Sequence, residues 1–232
     1  MFKKFLLCIA VLFSLNAQAA EPKVDLKDPY KMVRTVSDNT FARITKDQPL
    51  IAKDKEHLRV IVEEELMPYI DYKYAALRVL GNHVSKVRAI EDKEEKAKAI
   101  KELQRFIDVF QKYLIATYAG VFTQYTNQSV EFAPPQPFKG QDVVVVKTKI
   151  VEAGKPDIRI DFKVREDRSG DWGAYDMIAE GISLLDAKQS ELQGILRQHG
   201  LDYVSDLLEQ KSQLPVQFRG EGGDEESRDY ST

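Results

Sequence analysis

The hydrophobic positions of this chain change period partway along it. From Asp28 to Tyr125 apolar residues recur every three to four positions, the helical period. Asp28-Pro29 opens the first helix with a polar cap and an early proline. Met32, Val33, Val36, Thr40, Phe41 and Ile44 form its inner stripe. A polar break at Lys46–Pro49 precedes a second helix, which starts near Asp54 and carries Leu58, Ile61, Val62, Glu65 and Leu66. Pro68 should kink or end it. Tyr69, Tyr72 and Tyr74 follow, then Ala75, Leu77, Val79 and Leu80, with Gly81 as a C-terminal cap. The charged run Ile90–Lys101 opens a long amphipathic helix through Phe106, Phe110, Leu114, Tyr118 and Tyr125.

After Asn127 the period becomes two. Val130–Ala133 is a short strand closed by Pro134-Pro135, and Asp142–Val151 is a longer one built around VVVV. Ala153-Gly154-Lys155-Pro156 is a loop. In the next strand Ile158, Ile160, Phe162 and Val164 share one face, and Arg159, Asp161, Lys163 and Arg165 the other. One apolar and one charged side mark an antiparallel sheet with one wet face. A turn at Arg168–Asp171 leads to a strand from Trp172 to about Ala179. Strict alternation puts Asp176 on the face of Trp172, Ala174 and Ile178. A helix over Leu184–Gln198 closes at His199-Gly200, and Leu201–Leu208 adds a last short one. Helices, a meander, then helices predict an α+β fold: an antiparallel sheet of about four strands packed against several helices. No internal repeat is visible.

The ends differ from the middle. Lys3 and Lys4, an apolar core at Phe5–Leu15 and Ala17-Gln18-Ala19 read as a cleavable secretory signal over residues 1–19. That core is too short to span a bilayer, which takes about 20 residues. Cleavage removes Cys8, the only cysteine, so no disulfide, thiol nucleophile or cysteine ligand remains. It also takes the formal charge from −3 to −5, through loss of Lys3 and Lys4. That balance argues against nucleic-acid binding and against strong adhesion to anionic lipid. Residues 20–212 read as one domain, and 213–232 as a polar, disordered tail.

Catalytic groups are scarce. His57, His83 and His199 sit in separate elements without metal-ligand spacing. There is no phosphate loop and no nucleophile elbow; Ser183 follows a glycine but has no evident base. Glu63 and Glu64 read as solvated; Glu65 falls nearer the inner stripe and needs a partner from Arg59, Lys73 or Arg78. Asp161 and Asp176 also need partners if buried. No enzyme activity, metal or cofactor is expected from these residues. What stands out is a surplus of aromatic and aliphatic positions, which fits either a solid core or an underfilled one.

Four blocks carry a family resemblance: DPYKMVRTVSDNTFARI at Asp28–Ile44, HLRVIVEEELMPYIDYKYAALRVLG at His57–Gly81, FQKYLIATYAGVFTQY at Phe110–Tyr125, and the segment from Asp157 through WGAYDMIAEG to Gly200. They resemble MlaC, the toluene-tolerance family of periplasmic phospholipid carriers. The resemblance implies a fold enclosing an apolar lipid cavity and a monomer carrying phospholipid as its only ligand. It also implies partners at an inner-membrane ABC transporter complex and an outer-membrane lipoprotein–porin complex, serving outer-membrane lipid asymmetry. Predicted facing together with the resemblance gives the lipid-binding candidates. Those on helices are Leu66, Tyr69, Ile70, Tyr74, Val79, Phe106, Phe110, Leu114 and Tyr118. Those on and beside strands are Val145, Ile158, Ile160, Phe162, Trp172, Tyr175, Met177, Ile178 and Ile182. A lipid-free adaptor that docks envelope complexes and a periplasmic lipid hydrolase are the competing readings. Moving about thirty methylenes through water at ~0.8 kcal/mol each would cost roughly 25 kcal/mol, so a carrier must bury both chains in a dry pocket.

Overall fold

A computed structural model describes residues 22–125 and 128–217. The signal segment and the residues beyond Gln217 lie outside them. Helix α1, Pro29–Lys46, starts where the sequence places it: the Asp28 carboxylate accepts from the N–H groups of Tyr30 and Lys31, and Pro29 needs no such acceptor. Its inner stripe is buried at Met32, Val33, Val36, Thr40 and Ile44. The expected polar break instead holds a short helix, α2, Gln48–Ile51, whose Ile51 is buried. Helix α3, His57–Ile61, runs on as a π-turn, Val62–Leu66, and a 3-10 turn, Met67–Tyr69, so Pro68 ends the element through a graded change of pitch.

Helix α4, Tyr72–Leu80, is capped by Asp71 and closed by Gly81 at φ +52°, and α5, Asn82–Arg88, turns back from it. The long helix α6, Lys93–Phe122, begins with Asp92 accepting from the Glu95 N–H. Helix α7, Leu184–Gln213, joins the two expected C-terminal helices across a kink at Gly200, φ +84°. The chain stays packed beyond it. Arg59 donates to the carbonyls of Ser212 and Leu214 at 2.8 and 2.6 Å, and the Val216 N–H donates to Glu56 at 2.7 Å. Val216 is buried in the core, so the first residues of the expected polar tail belong to the folded body.

Among the described residues five strands form one antiparallel meander: β1 Ser129–Phe132, β2 Val143–Val151, β3 Ile158–Glu166, β4 Trp172–Ala179 and the two-residue β5 Ile182–Ser183. The first four match the expectation, and β5 is too short for any periodicity to show. Register pairs Val144 with Val164, Val146 with Phe162 and Thr148 with Ile160, giving the apolar face that receives α1. Lys147, Lys163 and Arg165 take the other face with Asp161.

One register detail corrects the alternation read from sequence. The ladder between β3 and β4 shifts between Lys163 and Val164, leaving Tyr175 as an extra residue: Lys163 pairs with Asp176 while Val164 pairs with Ala174. Trp172 and Ala174 therefore share the α1-facing side with Met177, and Asp176 and Ile178 fall on the charged side.

Candidate functional site

The core divides into three apolar clusters. The first joins α4, α5, α6 and α7 around Ala76, Val79, Leu80, Phe106, Phe110, Leu192 and Leu208. The second joins the end of α1 to α2, α3 and α6 through Ile44, Leu58, Ile61, Val62 and Ala119. The third packs Met32, Val33 and Val36 of α1 onto Val144, Val146, Val164 and Trp172. Leu66 belongs to the edges of the second and third clusters, and Leu114 to the edges of the first and second.

The side chains at that junction are large and apolar, yet only half-buried. Leu66, Ile70, Tyr72, Leu114, Ile115, Tyr118, Phe122 and Tyr125 border the second cluster, and Tyr69, Phe132, Phe162 and Ala174 border the third. A close-packed core buries such residues almost completely. Local backbone holds this junction in place. The π-turn re-aims Leu66, the 3-10 turn presents Tyr69, and Ile70 bridges Ala174 of β4 while the Asp71 N–H donates to the Ala174 carbonyl at 2.7 Å. Gly173 faces Asp71, whose Cβ would stand 3.5 Å from any added Cβ.

The side chains at these cluster edges are apolar. Burial pushes the Tyr118 phenol up to about 12, with the nearby Asp176 and Tyr113 adding to the shift. Polar groups gather on the charged side of β4 instead. Asp176 has no exposed side-chain surface; it pairs with Lys163 at 2.9 Å and accepts from Ser183 Oγ at 2.7 Å and the Leu185 N–H at 3.0 Å. That hydrogen bond raises the Lys163 ammonium above its ordinary range, against the effect of burial. Asp176 is thus a fastening between sheet and α7. Ser183, which caps α7 by accepting from the Asp186 N–H, is held in that fastening rather than beside a base.

Arg165 bridges the charged face to α4, donating to Asp71 at 2.6 Å with its guanidinium 4.4 Å from the Tyr74 ring centre. Glu65 finds Arg43 of α1 at 3.3 Å, a partner across the helix pair that the sequence reading did not name. His57 contacts Asp47 at 2.8 Å. Asp161 is buried; one oxygen lies 3.6 Å from Arg159, and the other has no hydrogen-bond partner among the described residues. No group of histidine, cysteine, aspartate and glutamate among the described residues has the geometry to hold a metal. Nor is any described helix long and apolar enough to cross a membrane.

The sequence candidates fall into four places. Leu66, Ile70, Leu114 and Tyr118 border the second cluster, while Leu66, Tyr69 and Phe162 border the third, to which Trp172 belongs; Leu66 links the two groups. Ile160 and Met177 continue that sheet face, half-buried beside Phe162. Val79, Phe106 and Phe110 are closed inside the helical cluster, with Tyr74 and Tyr175 in edge contact at 5.0 Å nearby. Val145 and Ile178 stand on the charged face, opposite Lys163 and Asp161, while Ile158 and Ile182 are exposed at the far end of the sheet. Sequence reasoning passed over Phe41, Phe122, Ile115 and Tyr125, which border the same junction. Their helical spacing was visible, but which way each stripe faces is set by tertiary packing.

Two surface clefts are lined by residues other than those of this junction. One runs between α6 and α7 beside Arg105, Lys112 and Glu209; the other lies against Lys163, Ser183 and Asp186. Both mix charged with aliphatic side chains, Ile100 and Val109 in the first and Ile178, Ile182 and Ala187 in the second.

Three comparisons place the chain. The sequence model of the family described as MlaC protein matches residues 34–210. The intermembrane phospholipid transport system binding protein MlaC of Haemophilus influenzae is 28% identical over 192 residues, covering 82% of this chain and 85% of that protein. The fold is that of a phospholipid-binding protein from Ralstonia solanacearum, solved in complex with a phospholipid. The TM-score is 0.67 at 22% identity, over 80% of this chain and 97% of that one.

Proposed function

This chain belongs to the MlaC family, and on that premise we propose that it is a periplasmic phospholipid carrier. It leaves the cytoplasm on a signal cleaved after Ala19, takes up a phospholipid, and shuttles it between an outer-membrane and an inner-membrane complex. The observation that carries this reading is the row of large, half-buried apolar side chains along the edges of the second and third clusters: Ile70, Leu114 and Tyr118 on one, Tyr69 and Phe162 on the other, with Leu66 on both. Through Leu66 and Leu114 it borders the three clusters, and burial there raises the Tyr118 phenol to about 12. Acyl chains laid there gain the contacts that these side chains make only in part. Each methylene so buried contributes about 0.8 kcal/mol.

No bond is made or broken in this function, which agrees with how the polar groups are spent. Asp176, Lys163 and Ser183 hold the sheet to α7, and Asp71 and Arg165 hold it to α4. The headgroup needs no dedicated cradle if it stays at the surface.

The test is native mass spectrometry of the full chain expressed with its signal and purified from the periplasmic fraction without added lipid, followed by lipid extraction. A mass lacking residues 1–19 and carrying one diacyl phospholipid, released on denaturation, is the expected result. A bare polypeptide that stays bare after incubation with phospholipid vesicles would refute the carrier reading and favour a lipid-free adaptor. Lysolipid or free fatty acid appearing during that incubation would favour a hydrolase.

A further inference from the structure

The α1-facing side of the sheet grades from buried to exposed along its length. On β3, Val164 is 0% exposed, Phe162 and Ile160 are half-buried, and Ile158 is 49% exposed. β2 follows the same course, from Val144 and Val146, both buried, to the half-buried Ile150 opposite Ile158. Val130 of β1 pairs with Ile150, and Ala179 of β4 pairs with Ile182, which is 63% exposed. Scattered exposed aliphatics are ordinary. Here they are contiguous across neighbouring strands and continuous with the buried face, which is the mark of a surface that meets an apolar partner.

We propose that this far end of the sheet is the portal of the lipid site, with the glycerol end of the phospholipid held at Ile158 and Ile182 and the chain ends lying toward Leu66 and Leu114. The reading rests on the carrier function above. Length supports it. Ile158 to Val164 is six strand residues, roughly 20 Å, and a leaflet's chains span about 15 Å, so a chain admitted at the lip reaches the covered end of the face.

The charges around the lip support an apolar mode of contact. Lys149 is engaged by Glu131 at 3.0 Å and Asp157 at 2.9 Å, Lys155 by Glu152 at 2.7 Å, and Glu180 accepts from the Arg159 N–H. Both rim lysines are thus paired and carboxylates outnumber them, so the described residues offer no uncompensated cationic cluster here to an anionic headgroup. Lipid should pass this lip by apolar contact, with a rate that hardly depends on salt.

The experiment loads the full-length mature protein with two photoreactive phosphatidylcholines, one bearing a diazirine beside the ester end of a chain and one beside its methyl end. Labelled peptides are then mapped by mass spectrometry. The ester-end probe should label the peptides carrying Ile158 or Ile182, and the methyl-end probe those carrying Leu66, Leu114 or Phe162. Ester-end labelling confined to α1, α3 or α6, or the reverse pattern, overturns the portal while leaving the carrier function intact. Absence of bound lipid with either probe overturns both. As a second measurement, Ile158→Asp with Ile182→Asp should slow exchange of bound lipid for a fluorescent phospholipid by about ten-fold or more. The rate for the unaltered chain should change by less than about two-fold between roughly 0.05 and 0.5 M salt, a range over which the screening length falls several-fold. Normal exchange in the double variant, with an unaltered melting temperature, places the portal elsewhere.

Discussion

Leu66→Asp and Phe110→Asp make the same chemical change at two apolar positions, and the structure predicts opposite outcomes. Phe110 is 2% exposed and stacks on Phe106 at 5.8 Å inside the helical cluster. Truncating such a ring costs about 3–5 kcal/mol, and a carboxylate in its place adds several more because no partner is in position. The total approaches the whole stability of a domain, about 5–15 kcal/mol, so Phe110→Asp should not fold. Leu66 is half-buried at the junction of two clusters. It forfeits roughly half the transfer energy of a leucine, about 1 kcal/mol, and its carboxylate retains some water. A total near 1–2 kcal/mol lowers the melting temperature of a domain of this size by about 2–8 °C. Leu66→Asp should therefore fold, and it should lose its lipid, because a charged group then stands where a chain must be dry. Circular dichroism melts give the first quantity and native mass spectrometry the second. Stoichiometric lipid on a folded Leu66→Asp protein would refute the placement of the site. A Phe110→Asp protein that melts like the unaltered chain would refute the packing argument.

Three further outcomes follow from the polar fastenings and one kink. Asp176→Ala breaks a buried pair with Lys163 and uncaps α7, which should cost about 3–5 kcal/mol by urea unfolding; Lys163, 27% exposed, can reach water and holds the loss toward the lower figure. The Lys163 ammonium is raised, so its share of that stability is complete below the unfolded value near 10.5 and is lost as pH rises from there through the folded value. The gap between the unaltered and Asp176→Ala proteins should thus stay constant from about pH 7 to 10. Asp47 is held below the usual carboxylate range: burial acts to raise it, and hydrogen bonds from His57 and Arg43 outweigh that. Its stabilising share is present above the unfolded value near 4 and is lost as pH falls from there through the folded value, so in urea unfolding Asp47→Asn should destabilise the protein at pH 7 and by progressively less as pH falls below about 4. Gly200 sits at φ +84° with nothing within 4 Å of an added Cβ; Gly200→Ala should cost about 1–2 kcal/mol in unfolding free energy from backbone strain alone, and a neutral result would mean that α7 straightens.

Periodicity made most of the fold legible, because one-sided burial writes itself into sequence wherever an element is long and regular. The start of α1, the length of α6 and the pairing faces of β2 and β3 could all be read from the positions of Asp28, Asp92 and the alternating Ile158–Val164 run. It failed where regularity fails. The extra residue at Tyr175 reverses which side Asp176 takes, and no local signal marks a bulge of that kind. The strict pattern made Asp176 a suspect carboxylate on an apolar face; the bulge makes it the clasp between β4 and α7.

The site was legible as composition and not as place. A half-buried aromatic at a cluster edge and a fully buried one in a core share the same stripe, so Phe110 and Tyr118, two turns apart on α6, looked equivalent in sequence. What separates them is which element lies opposite. Phe110 meets α4 and α7 and is sealed, whereas Tyr118 borders the second cluster with Leu66 and Ile70, where the π-turn and Pro68 hold the chain away from ideal helical packing. The same logic governs the sheet: Val164 and Ile158 obey one alternation, yet Val164 packs in the cluster with α1 and is buried while Ile158 is exposed. A protein that must both hold a lipid and release it needs that difference, since a face covered along its whole length would be a core with no way in.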